Sequence, residues 1–400
     1  MQSLPKRFLD AAVADHLLTE GQAHRVALAV ELAALPRSTP VSGESLGRLL
    51  GISRAGVHKQ VRQLTALGFA IESVARTGYE LVRPFSDLVV AEAALPFLLQ
   101  PECGDDAAGA DVCAGATGCA GPAVPPVGLP YRYVDRCAST NALLKEAVAS
   151  GEAAVRTGTV LVTDEQTGGR GRLGRSWASR AGEDLTFSVL VRPALAPARA
   201  HLLSLAAALA VAETIEGWGE LATRVGIKWP NDVMLGDGKV CGILLEGSMD
   251  ADRLQWAIVG IGLNVNSDPA SLIDGVSAAE REQWRGRPRP ASLRGALGTN
   301  VPRAPLLARL LQSLGRRFTS LSGEASAAGA DDILAGVRKR DTLLGRQVDV
   351  FSGASLDQLV VSGRAAGIGA EGQLLVATES GDVVPAFAGD VTLQAGPVNH

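Results

Sequence analysis

Apolar positions recur at helical spacing in the first quarter of the chain and at strand spacing through most of the rest. Leu28, Leu32 and Leu35 predict a helix in the second half of the stretch 1–38. Glu44 to Leu50 reads as a short helix and Gly51-Ile52-Ser53 as a tight turn, with Ser53 placed to cap the next helix. Arg54 to Leu67 carries Val57, Val61, Leu64 and Leu67 on one face, and Gly68 ends it. Phe69 to Val74, a turn at Arg76-Thr77-Gly78, and Tyr79 to Val82 then read as a β-hairpin. Helix, turn, helix, hairpin predicts a winged helix-turn-helix, with the stretch before residue 40 completing the same domain. That fold would direct Arg54, His58, Lys59 and Arg62 toward a DNA major groove and its phosphates, with Arg76 on the wing.

Beyond residue 129 the pattern alternates strands and helices. Tyr131 to Val134, Thr159 to Thr163 and Leu185 to Val191 read as strands, and Ala142 to Val148 as a helix. Leu202 to Val211 is apolar and alanine-rich, which fits a buried helix. Gly238 to Glu246 reads as a turn and a buried strand, and Ala257 to Asn266 as a strand with close-approach glycines. From Gly345 to Leu393, five short β-like runs (Gln347 to Phe351, Leu359 to Ser362, Leu374 to Ala377, Val383 to Phe387, Val391 to Leu393) predict a small β-barrel. The fold class is α+β. The expected organisation is a winged helix-turn-helix at 1–95, a linker at 96–128, a mixed α/β domain at 129–340 and a small β domain at 341–400.

Composition narrows the compartment. The net charge of −4 excludes a globally basic nucleic-acid binder and leaves room for one basic module. No apolar run reaches the roughly 18–20 residues that span a bilayer, so no membrane partner is expected. There is no signal-peptide core, and five irregularly spaced cysteines argue against a disulfide framework. A soluble cytoplasmic protein is expected. The stretch 101–128 is rich in Ala, Gly, Asp and Pro and reads as a flexible linker, spanning about 30 Å, that argues against rigid coupling of its neighbours. Its Cys103, Cys113 and Cys119 have no C-x-x-C pair and no nearby histidine, so no metal site is predicted.

Candidate chemistry concentrates in three segments. Gly168-Gly169-Arg170-Gly171-Arg172-Leu173-Gly174-Arg175 alternates glycine with arginine. Glycine permits close backbone approach, and arginine matches the geometry of carboxylate and phosphate. The stretch reads as a loop able to close over an anion, although similar composition occurs in solvated loops. It also fits G-x-G-x-x-G, but Ser176 to Gly182 does not start a helix, so a dinucleotide site is rejected. Ser139-Thr140-Asn141 stands where a strand meets a helix, as a cap or as a ligand contact at a helix N-terminus. In Ile227-Lys228-Trp229-Pro230-Asn231-Asp232, the lysine is flanked by apolar and aromatic residues, against the alternative of a snorkelling edge lysine. Lys239 is a phosphate contact or an ordinary hairpin lysine, Cys241 a small core residue, and Trp284 an adenine-stacking residue or a helix cover.

The Gly-Arg-Gly-Arg-x-Gly-Arg loop followed by Trp177, together with Lys-Trp-Pro-Asn-Asp, resembles the biotin protein ligases, and Ser53-Arg54-Ala55 is similar to the winged helix of their repressor type. The resemblance covers most of the chain but not the 101–128 insertion, and it is thin before residue 40. It implies the biotin/lipoate-ligase catalytic fold with an SH3-like C-terminal domain whose ligand-facing loop would be Gly363 to Ile368. There, Ala366 and Gly369 stand where other members carry charge. It also implies biotin contacts at Ser139, Thr140, Asn141, Gln166, Arg170, Gly171, Arg172 and Lys228. Lys228, Arg170 and Arg172 would be catalytic, and Asn231, Asp232, Lys239 and Trp284 would contact nucleotide. The implied substrates are biotin and ATP with Mg²⁺, the implied partners a biotin carboxyl carrier domain and operator DNA, and the implied assembly a homodimer when loaded with adenylate. Three alternatives remain at this point. A lipoate ligase should lack the paired motifs. A non-catalytic ligand-sensing repressor would show no pyrophosphate exchange. A ligase whose winged helix no longer regulates would bind no operator.

Overall fold

Residue type dictates the first module in detail. Thr19 and Gln22 form a reciprocal capping box that starts α1 (Glu20–Ala34). Ser42 caps α2 (Gly43–Leu50), which ends on Gly51 in the left-handed conformation, φ 69°. Ser53 caps α3 (Arg54–Ala66), its Oγ accepting from Gly56 N at 3.0 Å. β1 (Ile71–Val74) and β2 (Gly78–Leu81) pair antiparallel as the wing. Leu28, Leu32, Leu46, Val57, Val61 and Leu64 close one core. The computed structural model describes the chain apart from residues 1–9, 11, 16, 37–38, 100–126, 220, 222–223, 251–252, 275–287, 323–325, 353–357 and 394–400. Nearly all of the expected linker, with its three cysteines, and Trp284 therefore lie outside the described residues.

The first module is docked on the rest of the chain. Phe85 and Ala304 belong to its core cluster, and Ala304 N donates to Ser86 O at 2.7 Å. Tyr131 donates its hydroxyl to Val89 O. Helix α4 (Ala91–Leu98), rich in alanine and leucine, crosses the expected boundary at residue 95 and packs on α7 (Arg303–Ser320). Gln312 Nε2 caps its C-terminal end by donating to Leu98 O at 3.1 Å. Whatever the insertion does, this apolar helix provides a direct contact, against the expectation of weak coupling.

The central unit is a seven-stranded mixed sheet in the order β3-β4-β5-β9-β8-β7-β6. Its strands are β3 (Tyr131–Cys137), β4 (Val160–Gln166), β5 (Leu185–Val191), β6 (Val225–Lys228), β7 (Asp232–Leu235), β8 (Gly238–Met249) and β9 (Leu254–Leu263). β3 and β4 run parallel, joined by α5 (Thr140–Ala149), and the remaining pairs are antiparallel. Helix α6 (Leu202–Glu216) is buried nearly throughout against the sheet, α7 and α8 (Ser326–Lys339). The segment Pro197–Glu216 is long and apolar enough to cross a membrane by length and composition, but it is mostly buried as a core helix.

The C-terminal unit is a five-stranded antiparallel sheet in the order β13-β12-β11-β10-β14. Its strands are β10 (Gln347–Ser352), β11 (Gln358–Ile368), β12 (Leu374–Ala377), β13 (Val383–Ala386) and β14 (Asp390–Leu393). Among the described residues no pairing of β13 with β14 closes it into a barrel. Gly363 to Ile368, expected as a ligand-facing loop, instead lies within β11, paired with β10 and β12 across a bulge at Ala366, just before Gly367. Arg338 fastens this sheet to the central unit by donating to the carbonyls of Ile368 and Gly369, each at 2.8 Å.

Candidate active site

One cavity gathers residues far apart in sequence. Ser139, Thr140, Asn141, Gln166, Arg170, Gly171, Arg172, Lys228, Asn231, Asp232 and Lys239 all line it. Of the residues named for biotin or nucleotide contact, only Trp284 has no place in it, being outside the described residues; the segment 363–368 does not line it either.

One end is neutral and tightly hydrogen-bonded. Ser139 caps α5, its Oγ accepting from Ala142 N at 3.4 Å. Thr140 donates from its backbone N (2.8 Å) and its hydroxyl (3.1 Å) to Gln166 Oε1, so the Gln166 amide nitrogen is left facing the cavity side. The parallel pairing of β3 with β4 sets Cys137 beside Gln166 and so brings the start of α5 to that amide. Asn141 is only 4% exposed, with both polar atoms on protein partners: its Oδ1 lies 2.6 Å from Ser188 Oγ, and its Nδ2 donates to Glu246 Oε2 at 2.8 Å and to Leu244 O at 3.5 Å.

The other end is cationic. β6 and β7 form a tight hairpin in which Lys228 pairs with Asp232 across Trp229-Pro230-Asn231. Lys228 is 7% exposed and, among the described residues, donates to no protein acceptor. Burial pushes its ammonium down from the usual lysine range, the carboxylates of Asp232 and Asp390 pulling it partly back. Lys239 lies 2.7 Å from Asp232 and 5.4 Å from the centroid of Trp177. Arg172 reaches Asn231 Oδ1 at 3.3 Å, and burial lowers its pKa against the pull of Asp390 and Asp232. Asn231 is itself pinned to Ile243, donating to its carbonyl at 2.7 Å.

The glycine–arginine loop lies over this end as an internally bonded flap. Gly171 N donates to Arg175 O at 2.8 Å, and Trp177 N to Gly169 O at 2.9 Å. Arg172 to Gly174 makes a single 3₁₀ turn followed by extended chain, so the rejection of a dinucleotide site stands. Trp177 then drops onto Gly242 and Gly262, which are cross-strand neighbours. A Cβ at Gly242 would lie 2.9 Å from its ring, and one at Gly262 would collide with the indole outright.

Sequence reasoning missed one charged lining residue and the contacts that brace the site from behind. Asp390, from the last described strand, enters the cavity and holds Arg175 by two hydrogen bonds of 3.1 and 2.6 Å. Trp229 donates its indole N–H to Gly372 O at 3.0 Å, fastening the lysine hairpin to the C-terminal sheet. Asp164, two residues before Gln166, is held by Arg303 at 2.7 Å and by the Tyr133 hydroxyl at 2.7 Å. Single aspartates carry no local signal, whereas the glycines at 242 and 262 could have marked the indole. Cys241 is fully buried, and that burial raises its thiol pKa far above the ordinary value. No group of three or more His, Cys, Asp or Glu side chains able to hold a metal occurs among the described residues.

On the first module, Arg54, His58, Lys59 and Arg62 stand exposed on α3, and Arg76 is exposed at the wing tip with φ 68°. His58 Nδ1 lies 3.2 Å from the Tyr79 hydroxyl, which ties the helix to the wing.

Comparison with known proteins agrees with this geometry. Residues 133–264 match the Biotin/lipoate A/B protein ligase family, and residues 31–80 match an HTH domain. The "Bifunctional ligase/repressor BirA" of Bacillus subtilis is 30% identical over 289 residues, covering 72% of this chain and 77% of that protein. The protein of the same name from Escherichia coli is 28% identical, covering 88% and 93%. The solved biotin protein ligase of Aquifex aeolicus in complex with biotin and ATP superposes with a TM-score of 0.50 at 27% identity, over 66% of this chain and 99% of that one. With the cavity, the flap and the docked first module on the page, these matches show that the chain belongs to the biotin protein ligase family, among members that carry an N-terminal helix-turn-helix.

Proposed function

We propose that the chain activates biotin with ATP to biotinyl-5′-AMP, and then transfers biotin to a lysine of a biotin carboxyl carrier domain. The observation that carries this reading is the single cavity with a neutral amide-and-hydroxyl end and a cationic end under a closable flap. Ser139, Thr140, Asn141 and Gln166 surround or brace the site for the ureido ring. Gln166 offers a donor and Thr140 an oxygen, as a group with both N–H and C=O requires. In the first step the biotin carboxylate oxygen attacks the α-phosphorus of ATP, and pyrophosphate leaves. Two anions must meet, so Lys228, Arg170 and Arg172 offset their repulsion and the charge that develops on phosphorus. Asn231, Asp232 and Lys239 serve the nucleotide side. In the second step the carrier amine attacks the acyl carbon and AMP leaves. The mixed anhydride hydrolyses readily, so the flap excludes water until the carrier arrives.

The two carboxylates of the cavity do not fit a resident metal: Asp232 is paired with Lys239 and Asp390 with Arg175. Mg²⁺ is read as part of the magnesium–ATP substrate, and no step depends on a metal held by the protein. The small C-terminal sheet is read as an SH3-like unit that backs the flap.

A second function is favoured by the exposed basic face of α3 and the wing. The chain is also a repressor that binds an operator through the winged helix, as a dimer loaded with adenylate, in the cytoplasm. Incubation with labelled biotin, ATP and a carrier domain tests the first reading. Label on the carrier lysine supports it, and label that never leaves the free acid refutes it. A gel shift on a fragment upstream of biotin biosynthesis genes, with and without biotin plus ATP, tests the second. A shift that tightens with both ligands supports repression, and no shift leaves a monofunctional ligase.

A further inference from the structure

Asn141 lines the cavity, but both polar atoms of its amide are engaged by protein partners in the wall. Three adjacent strands set Ser188, Gly260 and Leu244 side by side, because β5, β9 and β8 pair in that register. Gly260 has no side chain, and the Asn141 amide fills the gap so closely that a methyl group there would collide with it. Its Nδ2 donates to Glu246 Oε2 at 2.8 Å, and its Oδ1 lies 2.6 Å from Ser188 Oγ. Ser188 Oγ in turn lies 2.7 Å from Thr140 Oγ1.

The direction of this chain is set at one end. A carboxylate only accepts, so Glu246 obliges Asn141 to present its NH₂ to it and its carbonyl to Ser188. The single Ser188 proton then goes to that carbonyl, and Ser188 can only accept from Thr140. The Thr140 proton is therefore committed to Ser188 or to Gln166 Oε1, 3.1 Å away. Toward the cavity, Thr140 Oγ1 shows only lone pairs, beside an amide nitrogen of Gln166 that can only donate.

We infer that Glu246, outside the cavity lining, is a positioning residue that fixes the proton order of the ring pocket and thereby makes Thr140 an obligatory acceptor, selecting ligands with a ring N–H beside a carbonyl. This deepens the biotin reading and rests on it. Without Glu246, only the long contact of Asn141 Nδ2 to Leu244 O, 3.5 Å, opposes its turning over; once turned, Thr140 regains a proton to offer, and selection for N–H over a bare oxygen relaxes.

The test compares biotin with a synthetic cyclic-carbamate analogue in which a ring N–H is replaced by oxygen, using the full chain. In Glu246→Ala the biotin KM rises about tenfold, the ATP KM changes less than about twofold, and the preference for biotin over the carbamate falls about tenfold. Glu246→Gln keeps size and an acceptor but can also donate, so its melting temperature is unchanged and its preference still falls about threefold or more. Should Glu246→Ala not fold, Glu246→Gln carries the test alone. Unchanged biotin KM and unchanged preference in these variants overturn the inference while leaving the ligase reading intact. Failure of the wild-type chain to bind biotin by calorimetry overturns both.

Discussion

Arg175 of the glycine–arginine flap and Asp390 of the C-terminal sheet, 215 residues apart, meet in a two-point ion pair of 3.1 and 2.6 Å. The pair links the flap to a separate sheet, so closure depends on that sheet. Hydrogen bonds to charged groups contribute about 1.5–3 kcal/mol. Asp390→Asn should therefore speed release of biotinyl-AMP roughly tenfold. It should also make the flap more sensitive to trypsin in the presence of adenylate. Release and digestion rates equal to wild type would show that the sheet does not hold the flap.

Two glycines on one face of β9 separate the ends of the cavity. Gly260 backs Asn141, and Gly262 backs Trp177. Forcing a methyl group into a packed site costs about 1–3 kcal/mol, or displaces the neighbour. Gly260→Ala should raise the biotin KM by about tenfold or more, leaving the ATP KM nearly fixed, and Gly262→Ala should do the reverse. Steady-state kinetics with each substrate varied in turn decides this; equal effects on both constants from either variant would contradict the division.

Lys228 should cost stability where it is charged. Burial lowers its pKa from the usual 10.5, so between the lowered value and 10.5 the unfolded chain binds more protons than the folded one. Stability therefore rises with pH through that window, and the penalty is greatest below it. Lys228→Met removes the buried ammonium and should stabilise by about 1 kcal/mol, or roughly 2–4 °C, at pH 7. The gain should shrink toward pH 10, while adenylate formation falls by about 100-fold or more at either pH. Thermal melts at the two pH values check the first part. A variant less stable than wild type at pH 7 would mean that Lys228 is held by attraction rather than tolerated.

On the winged helix, Arg54 and Lys59 are exposed on α3. If they face phosphate, each alanine substitution should lower the slope of log affinity against log salt by about 0.9. Titrations of one operator fragment at several salt concentrations measure it; slopes unchanged in both variants would remove α3 from the interface.

What is legible in the chain is what is local. Caps, turn glycines and one-face periodicity specify α2, α3 and the wing within a few residues. The flap and the lysine hairpin are short continuous segments whose chemistry needs those residue types. Asp390, Glu246, Ser188 and Arg303 cannot be read so, because their roles arise from strand order and packing that bring distant positions together. The segment 363–368 reads as a loop, and is not one, for a specific reason. Gly367, φ 111°, marks a bulge where the register with β12 shifts, and a bulge looks like a turn in sequence. Helix α4 is hidden by Pro96 and by its position beside the insertion.

The central claim is that one cavity joins an acid to a nucleotide under a cationic flap. Biotin-dependent exchange of labelled pyrophosphate into ATP, measured without any carrier protein, tests it most directly. The wild-type chain should show exchange that requires biotin. Exchange that is absent, or that proceeds equally without biotin, would contradict the account.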